Sequence, residues 1–363
     1  AGEASGDMHS ANLVKELKKI DKDAVLRGWG GALMKKQGVD IVKNYKDTAF
    51  MGFVEVIKHI RTILKNINFC KEDILFYKPD ALILVDYPGF NLRIAKFAYK
   101  NKIKVFYYIS PQVWAWKTSR VRQIKKYVNR MFVVLPFEKE FYKKYNYEVD
   151  YVGHPLLDEI LSNTDYESKS NHFKELSALP IIALIPGSRK QEIVKMLPGM
   201  LKMVEQYKDY HFVVTAVSSI PASIYNNLCD NYKVSIIYDD FYSVLSVAKA
   251  ALVTSGTAAL ETALFGVPEI VCYKANYISY LLAKFLIKVK YISLVNLIMN
   301  KKIISELIQN DFNSINLKIE MDKLLFDDEH KQILTSDYAA LKVNLGSLGA
   351  SARAAALIYN NIK

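Results

Sequence analysis

Apolar runs of four to eight residues alternate along this chain with stretches whose apolar positions return every three or four residues. The short runs read as strands buried on both faces and the longer stretches as covering helices. That rhythm predicts an α/β fold of parallel sheets with helices on either side. In the front half, strands are expected near Val25 to Gly28, Ala81 to Asp86, Lys104 to Ser110 and Arg130 to Leu135, with helices at about 7–20, 53–68, 90–101, 119–128 and 137–145. The rhythm breaks at Val152-Gly153-His154-Pro155 and through the polar run Ser162 to Ser170. It resumes with strands near 181–186, 211–217, 234–238, 250–254 and 269–273. The expected architecture is two α/β units in tandem, 1–157 and 158–339. Ligands of such sheets sit at the carboxyl ends of strands, here in a cleft between facing units. The tail 340–363, with a helix over Ser351 to Tyr359, either completes the front unit or exchanges with a second copy.

Bulk properties narrow the partners. A length of 363 residues is long for one core, and 51% hydrophobic content supports full burial. The formal charge of +12 favours anionic partners: phosphorylated metabolites, nucleic acid or an acidic membrane face. No nucleic-acid-binding module fits the α/β rhythm. Cys70, Cys229 and Cys272 are odd in number and widely spaced, which argues for a reducing, cytosolic setting and against a disulfide framework or metal knuckle. No His or carboxylate pair has metal-ligand spacing, so neither a metal nor a cofactor is expected. No run of about 18 uncharged apolar residues appears. The chain opens at Ala1 directly in a glycine-rich turn, which predicts a leading strand ahead of it.

The strongest chemical signal is a phosphate-cradling turn that occurs twice. Ile181 to Ile185 runs into Pro186-Gly187-Ser188-Arg189, and Ala251 to Thr254 runs into Ser255-Gly256-Thr257-Ala258-Ala259-Leu260-Glu261. In both, a buried strand breaks into small residues before a helix, so backbone N–H groups and the positive end of the helix dipole can meet an anion. Glu261 lies about one helical turn after Thr257 and can accept hydrogen bonds from sugar hydroxyls. Diphosphate plus ribose implies a nucleotide.

The front half offers weaker motifs. Ala1-Gly2-Glu3-Ala4-Ser5-Gly6-Asp7 is a loop feeding a helix, with Glu3, Ser5 and Asp7 available for contacts; a plain strand-to-helix connection accounts for it equally well. Asp86 ends the run Ala81 to Val85 and precedes Tyr87-Pro88-Gly89-Phe90-Asn91, where a general base would sit, although a turn or cap aspartate reads the same way. Asn91 is the alternative cap. Ser110-Pro111-Gln112-Val113-Trp114-Ala115-Trp116-Lys117 places two indoles beside a cation, suited to a ligand with a sugar or apolar face and a phosphate, or simply to capping the core. His9 and His154 carry no assigned role. From Met51 to Ile67, apolar positions that include Phe53, Val56, Ile57, Ile60 and Leu64 form a helical stripe, with Arg61 among the basic residues elsewhere on the wheel. The stripe covers a sheet or rests on an acidic bilayer, and Tyr277 to Val289 repeats the mixture.

Together these motifs, with Met51-Gly52-Phe53-Val54-Glu55-Val56 and Leu135-Pro136-Phe137-Glu138, resemble the lipid-A-disaccharide synthase family over nearly the whole chain. The resemblance implies a GT-B fold, with two Rossmann-like domains facing across a cleft, the donor nucleotide in the back domain and the acceptor in the front. It implies transfer of 2,3-diacylglucosamine from its UDP derivative to the 6-hydroxyl of 2,3-diacylglucosamine 1-phosphate (lipid X). The anomeric carbon inverts, UDP leaves, and the disaccharide enters lipopolysaccharide assembly in a Gram-negative bacterium. Asp86 matches the family's base, Arg189 a residue near the donor diphosphate and Asn296 a donor-site asparagine. Glu261 would hold the ribose, and Glu3, Ser5, Asp7, Trp114, Trp116 and Lys117 would face the acceptor. Many members carry an aspartate where this chain has Gly89, so Asp86 stands alone. Lipid substrates imply a cytoplasmic enzyme held peripherally at the inner membrane, as monomer or swapped homodimer. The alternatives are an isomerase like the non-hydrolysing UDP-N-acetylglucosamine epimerases and a UDP-sugar or lipid carrier without turnover.

Overall fold

The computed structural model describes residues 1–47, 60–162, 178–276 and 289–362. The chain divides into two units, Ala1–Asp158 with Ser347–Lys363 and Glu159–Gly346. Phe53, Val56, Ile57 and the 277–288 part of the second apolar and basic segment lie outside the described residues.

Unit 1 holds two parallel sheets. β1 (Arg27–Gly30) pairs with β2 (Asp40–Asn44), and β3 (Ala81–Val85), β4 (Lys104–Tyr108), β5 (Arg130–Val133) and β6 (Asp150–Tyr151) lie side by side in that order. Val105 through Tyr108 are all buried, which is why β4 reads as an unbroken apolar run rather than an alternating one. The helix Ile60–Tyr77 extends past the expected end near 68 and covers this sheet with Ile67 and Ile74. Its other apolar positions, Ile60 and Leu64, are exposed together with Arg61, Leu75 and Phe76.

The closing helix Ala350–Ile362 belongs to unit 1. Asp158 accepts the backbone N–H groups of Gly349 (2.6 Å) and Ser351 (3.2 Å), Arg353 donates to the Val152 carbonyl (2.9 Å), and Lys104 reaches the carbonyl of Asn361 (2.9 Å). Ala354, Ala355 and Ile358 face inward. Within this one chain the tail therefore packs on its own front unit.

Unit 2 is one all-parallel sheet. β7 (Ile181–Ile185), β8 (His211–Ala216), β9 (Val234–Tyr238), β10 (Ala248–Thr254), β11 (Glu269–Tyr273) and β12 (Ser305–Ile308) stand in the order β12-β11-β10-β7-β8-β9. The chain first adds strands to one side of β7, then returns to its other side with β10. Strand order thus reverses between β7 and β10, the switch point at which ligands of open α/β sheets bind.

Candidate active site

In unit 1 the critical turn follows β3. Asp86 (φ 43°) and Tyr87 (φ 47°) are both left-handed, although neither is glycine. Each such residue costs about 1–2 kcal/mol, so neighbours must hold the turn. The Asp86 N–H continues the ladder to the Tyr108 carbonyl (3.2 Å), and the Asp86 carbonyl accepts from Asn91 Nδ2 (2.6 Å) and the Tyr107 hydroxyl (2.5 Å). The N-terminal loop presses on the other side. A Cβ at Gly2 would lie 2.4 Å from the Tyr87 ring, so only glycine fits there. Asn91 is therefore a clamp on the turn and not a helix cap; the helix Pro88–Lys100 has Tyr87 at its N-cap. The half-buried Asp86 carboxyl is pushed up to about 6, first by burial and then by the negative charge of Glu3, with the Tyr87 N–H partly offsetting both. Such a group is a carboxylate at neutral pH yet basic enough to take a proton.

Of the three polar residues in the opening loop, Glu3 stands within electrostatic reach of Asp86, and exposed Ser5 donates to Glu3 Oε1 (2.9 Å). Asp7 is a correction to the sequence reading. Its buried carboxylate accepts from the backbone N–H groups of Gly31 (2.7 Å), Leu33 (3.2 Å) and Met34 (3.2 Å), tying down the start of the helix Ala32–Lys36. A carboxylate that already accepts three backbone bonds in the interior is an anchor, not a ligand contact.

The loop after β4 gives another correction. Trp114 donates its indole N–H to Glu138 Oε1 (3.2 Å) and packs edge-on against Phe137 at 4.9 Å, so its polar atom faces the protein. Glu138, a residue that sequence reasoning did not assign to the site, also accepts from Val134 N–H (3.2 Å) and Leu135 N–H (3.0 Å). Burial pushes it up to about 7, against those hydrogen bonds. The available signal was its place three residues after Leu135, at the N3 position of the helix Pro136–Lys143. Trp116 closes the short helix Val113–Trp116, and exposed Lys117 follows it.

Lys117 does reach a pocket. A cavity of about 540 Å³ begins one residue after Asp86, at Tyr87, Pro88 and Gly89. Ile60, Ile63 and Leu92 supply apolar wall, and Arg93, Lys117 and Arg120 supply cations. Burial and the neighbouring Arg93 push the Arg120 guanidinium down, so an anion bound there would relieve repulsion. The pocket suits a molecule that is partly hydrocarbon and partly phosphate. A second cavity, of about 400 Å³, lies in unit 2 between the helix Lys190–Leu201 and Phe312 to Ser314, and none of the sequence-predicted site residues lines it.

In unit 2 the two glycine turns leave β7 and β10, the adjacent strands at the switch point, whose register pairs Ile185 with Val253. Gly187 has φ 100°, and a Cβ there would stand 2.5 Å from Glu192 Oε2. Ser188 and Arg189 are exposed, and Arg189 donates to Glu192 Oε1 (2.8 Å). Beside them, Gly256 and Thr257 are exposed at the head of the helix Thr257–Leu264, which carries no side-chain cap on its first N–H groups. Uncapped N–H groups at a helix start attract anions. Ser255 donates its hydroxyl to the Ile292 carbonyl (3.2 Å).

Glu261 follows one turn later. Tyr242, which sequence reasoning missed, donates to its Oε1 at 2.8 Å and stacks on Phe265. Burial raises the Glu261 pKa, the Tyr242 bond lowers it and Glu159 raises it further. Asn296 is the third correction. It is fully buried, its Oδ1 accepts from Ile303 N–H (2.7 Å) and Ile304 N–H (3.0 Å), and its Nδ2 donates to the Ile304 carbonyl (2.9 Å) and Glu306 Oε1 (2.9 Å). All four of its hydrogen-bonding positions are spent inside the protein. Among the described residues, no group of three or more His, Cys, Asp or Glu side chains is placed to hold a metal ion.

Two α/β units with parallel sheets, one with paired glycine turns at a switch point, define the GT-B class of nucleotide-sugar enzymes. Solved structures agree on the fold. A putative UDP-N-acetylglucosamine 2-epimerase from Listeria monocytogenes superposes with a TM-score of 0.72 at 13% identity, covering 100% of this chain and 95% of that one. The calicheamicin glycosyltransferase CalG4 gives 0.59 at 14% identity, covering 99% of this chain and 96% of the other. Sequence decides the family. Residues 1–358 match the lipid-A-disaccharide synthetase family. The lipid-A-disaccharide synthase of Syntrophus aciditrophicus is 39% identical over 100% of this chain and 97% of its own length, and that of Geobacter sulfurreducens 36% identical over 99% and 95%. The chain belongs to the lipid-A-disaccharide synthase family, and its likeness to epimerases is one of fold.

Proposed function

We propose that this glycosyltransferase joins two acylated glucosamines with Asp86 as general base, UDP-2,3-diacylglucosamine held by unit 2 and lipid X held by unit 1. Asp86 takes the proton of the acceptor 6-hydroxyl as that oxygen attacks the donor anomeric carbon. The bond from that carbon to the diphosphate breaks, UDP departs with the electron pair, and configuration inverts. Arg189 and the N–H groups after Gly187 and Gly256 receive the charge that develops on the diphosphate. Arg189, itself exposed, meets it by releasing half-buried Glu192, with which it forms a partly solvated and therefore weak pair. Glu261 takes the ribose hydroxyls. The amphiphilic pocket beside Asp86 takes the acceptor, acyl chain toward Ile60 and Ile63, phosphate toward Arg93, Lys117 and Arg120.

The observation that carries the reading is the pairing of β7 and β10, which sets two glycine turns side by side at the reversal of strand order. Purified chain incubated with UDP-2,3-diacylglucosamine and lipid X should yield the disaccharide 1-phosphate by mass and an equal amount of UDP. UDP-sugar bound but never consumed would leave a carrier; consumption without the second lipid would leave an isomerase.

Among the described residues no helix is long and apolar enough to cross a membrane. We infer a peripheral contact with the inner leaflet through the helix Ile60–Tyr77. Ile60, Leu64 and Phe76, 45%, 51% and 83% exposed, stand among Arg61 and Lys65. Such a surface should pellet with anionic vesicles at low salt and release as ionic strength rises. Equal pelleting of a variant carrying Ile60→Ser and Leu64→Ser would remove the helix from that role.

A further inference from the structure

The fully spent Asn296 leads to Glu306, a residue in β12 that accepts four hydrogen bonds. Its Oε1 receives Ser293 N–H (2.9 Å), the Ser293 hydroxyl (2.7 Å) and Asn296 Nδ2 (2.9 Å), and its Oε2 receives Ile292 N–H (3.0 Å). Asn296 braces the same loop from the other side through Ile303 and Ile304. Ser293 Oγ in turn accepts the N–H of Asn296 (3.2 Å) and caps the helix Leu294–Met299. The product of this network is a fixed Ile292 carbonyl, and that carbonyl holds the hydroxyl of Ser255.

We propose that Glu306 is a positioning residue for the donor diphosphate, acting through Ile292 on Ser255 at the mouth of the β10 turn. The inference rests on the assignment of that turn to the donor. The Ser255 N–H is already committed to the Cys272 carbonyl (3.3 Å), so the hydroxyl is what this residue can offer a phosphate oxygen. A hydroxyl held by one carbonyl stands in one rotamer beside the uncapped helix start and needs only to swing its hydrogen when the diphosphate arrives. Without Glu306, two backbone N–H groups, a hydroxyl and an amide lose their common acceptor, the loop from 291 to 296 relaxes, and Ser255 loses its orientation. Asn296 thereby supports the donor without touching it.

The test is E306Q, which keeps shape but sets an NH2 group against a backbone donor. Calorimetric titration of the full chain with UDP alone should show affinity reduced about tenfold, with the acceptor KM unchanged. S255A should weaken UDP by a similar factor, and the E306Q/S255A double variant should be no weaker than the worse single variant, since both act along one path. Losses that multiply, or a rise in acceptor KM equal to that for the donor, would overturn the proposal. Should E306Q not fold, S293A removes one of the four bonds and must still lower UDP affinity; an unchanged affinity refutes the idea. Wild-type chain that does not bind UDP would instead strike down the donor assignment itself.

Discussion

The turn after β3 and the turns after β7 and β10 occupy the same place in a parallel sheet and, on the proposed mechanism, face opposite electrostatic tasks. After β3 the protein must keep a negative group reactive, and it does so by dehydrating it. Asp86 sits half-buried near Glu3, in a left-handed turn whose strain Asn91 and Tyr107 contain with hydrogen bonds. After β7 and β10 the task is to welcome a negative group, and the chain exposes backbone instead. Gly187 takes the left-handed position itself, and Gly256 leaves open space around it. In that proposal side chains build the base, whereas their absence builds the anion site.

If that division holds, the largest effect belongs to the base. Asp86→Asn should lower kcat about 100- to 10,000-fold, the usual value of a positioned base. The fold should not suffer. A carboxyl whose folded pKa is raised costs stability as pH climbs from its unfolded value near 4 through about 6, so a neutral amide is favoured at pH 7. Wild-type kcat/KM should fall tenfold per pH unit below about 6 as Asp86 takes up a proton, and level off above it. An Asn variant that is fully active, or a pH profile flat through 6, would break the contrast between the two turns.

Arg189 gives a smaller effect of a different kind. Arg189→Ala should cost about 10- to 100-fold in kcat/KM for the UDP-sugar, the worth of a charged hydrogen bond. Melting should hardly change, because Arg189 is exposed and its ion pair with Glu192 is partly solvated. Acceptor kinetics that worsen as much as donor kinetics would show that this side chain serves something other than the diphosphate.

Buried strands and glycine turns were legible in the sequence because their physics is local. A strand covered on both faces must be apolar throughout, so β4, β7, β8 and β10 announced themselves. Three strands escaped, β2 (Asp-Ile-Val-Lys-Asn), β6 (Asp-Tyr) and β12 (Ser-Glu-Leu-Ile), each short, half-exposed and patterned like a loop, whereas the more apolar edge strands β3 and β9 were found. The places of Asp86 and the two glycine turns, each at a strand end before a helix, were legible because that junction is itself a local signal. Asp7, Trp114 and Asn296 show where such reading stops. Each is a polar residue in a motif that points to ligand, yet each spends its polar atoms on partners 24, 24 and 7 to 10 positions away in the chain. Whether a polar atom faces ligand or protein depends on those partners, which no local pattern specifies. Tyr242, Glu138 and Glu306 were missed for the same reason, as the partners rather than the motif.

The smallest effects separate two glycines that the sequence treats alike. At Gly187 an added methyl meets a left-handed backbone and the Glu192 carboxylate 2.5 Å away, so Gly187→Ala should cost about 1–2 kcal/mol, or a few degrees in Tm. At Gly256 φ is 166°, extended and open to any residue, and among the described residues beyond its chain neighbours no atom lies within 4 Å of where an added methyl would stand. Gly256→Ala should therefore leave Tm unchanged or slightly raised, since alanine also narrows the unfolded ensemble. The ligand reverses the order of tolerance if the uncapped start of the Thr257 helix receives the diphosphate, because the new methyl stands where phosphate oxygens must approach. Calorimetry should then find UDP binding weakened in the stable Gly256→Ala variant. Unchanged affinity there would mean that the open space beside Gly256 is not the phosphate's, and that the β7 turn carries the anion alone.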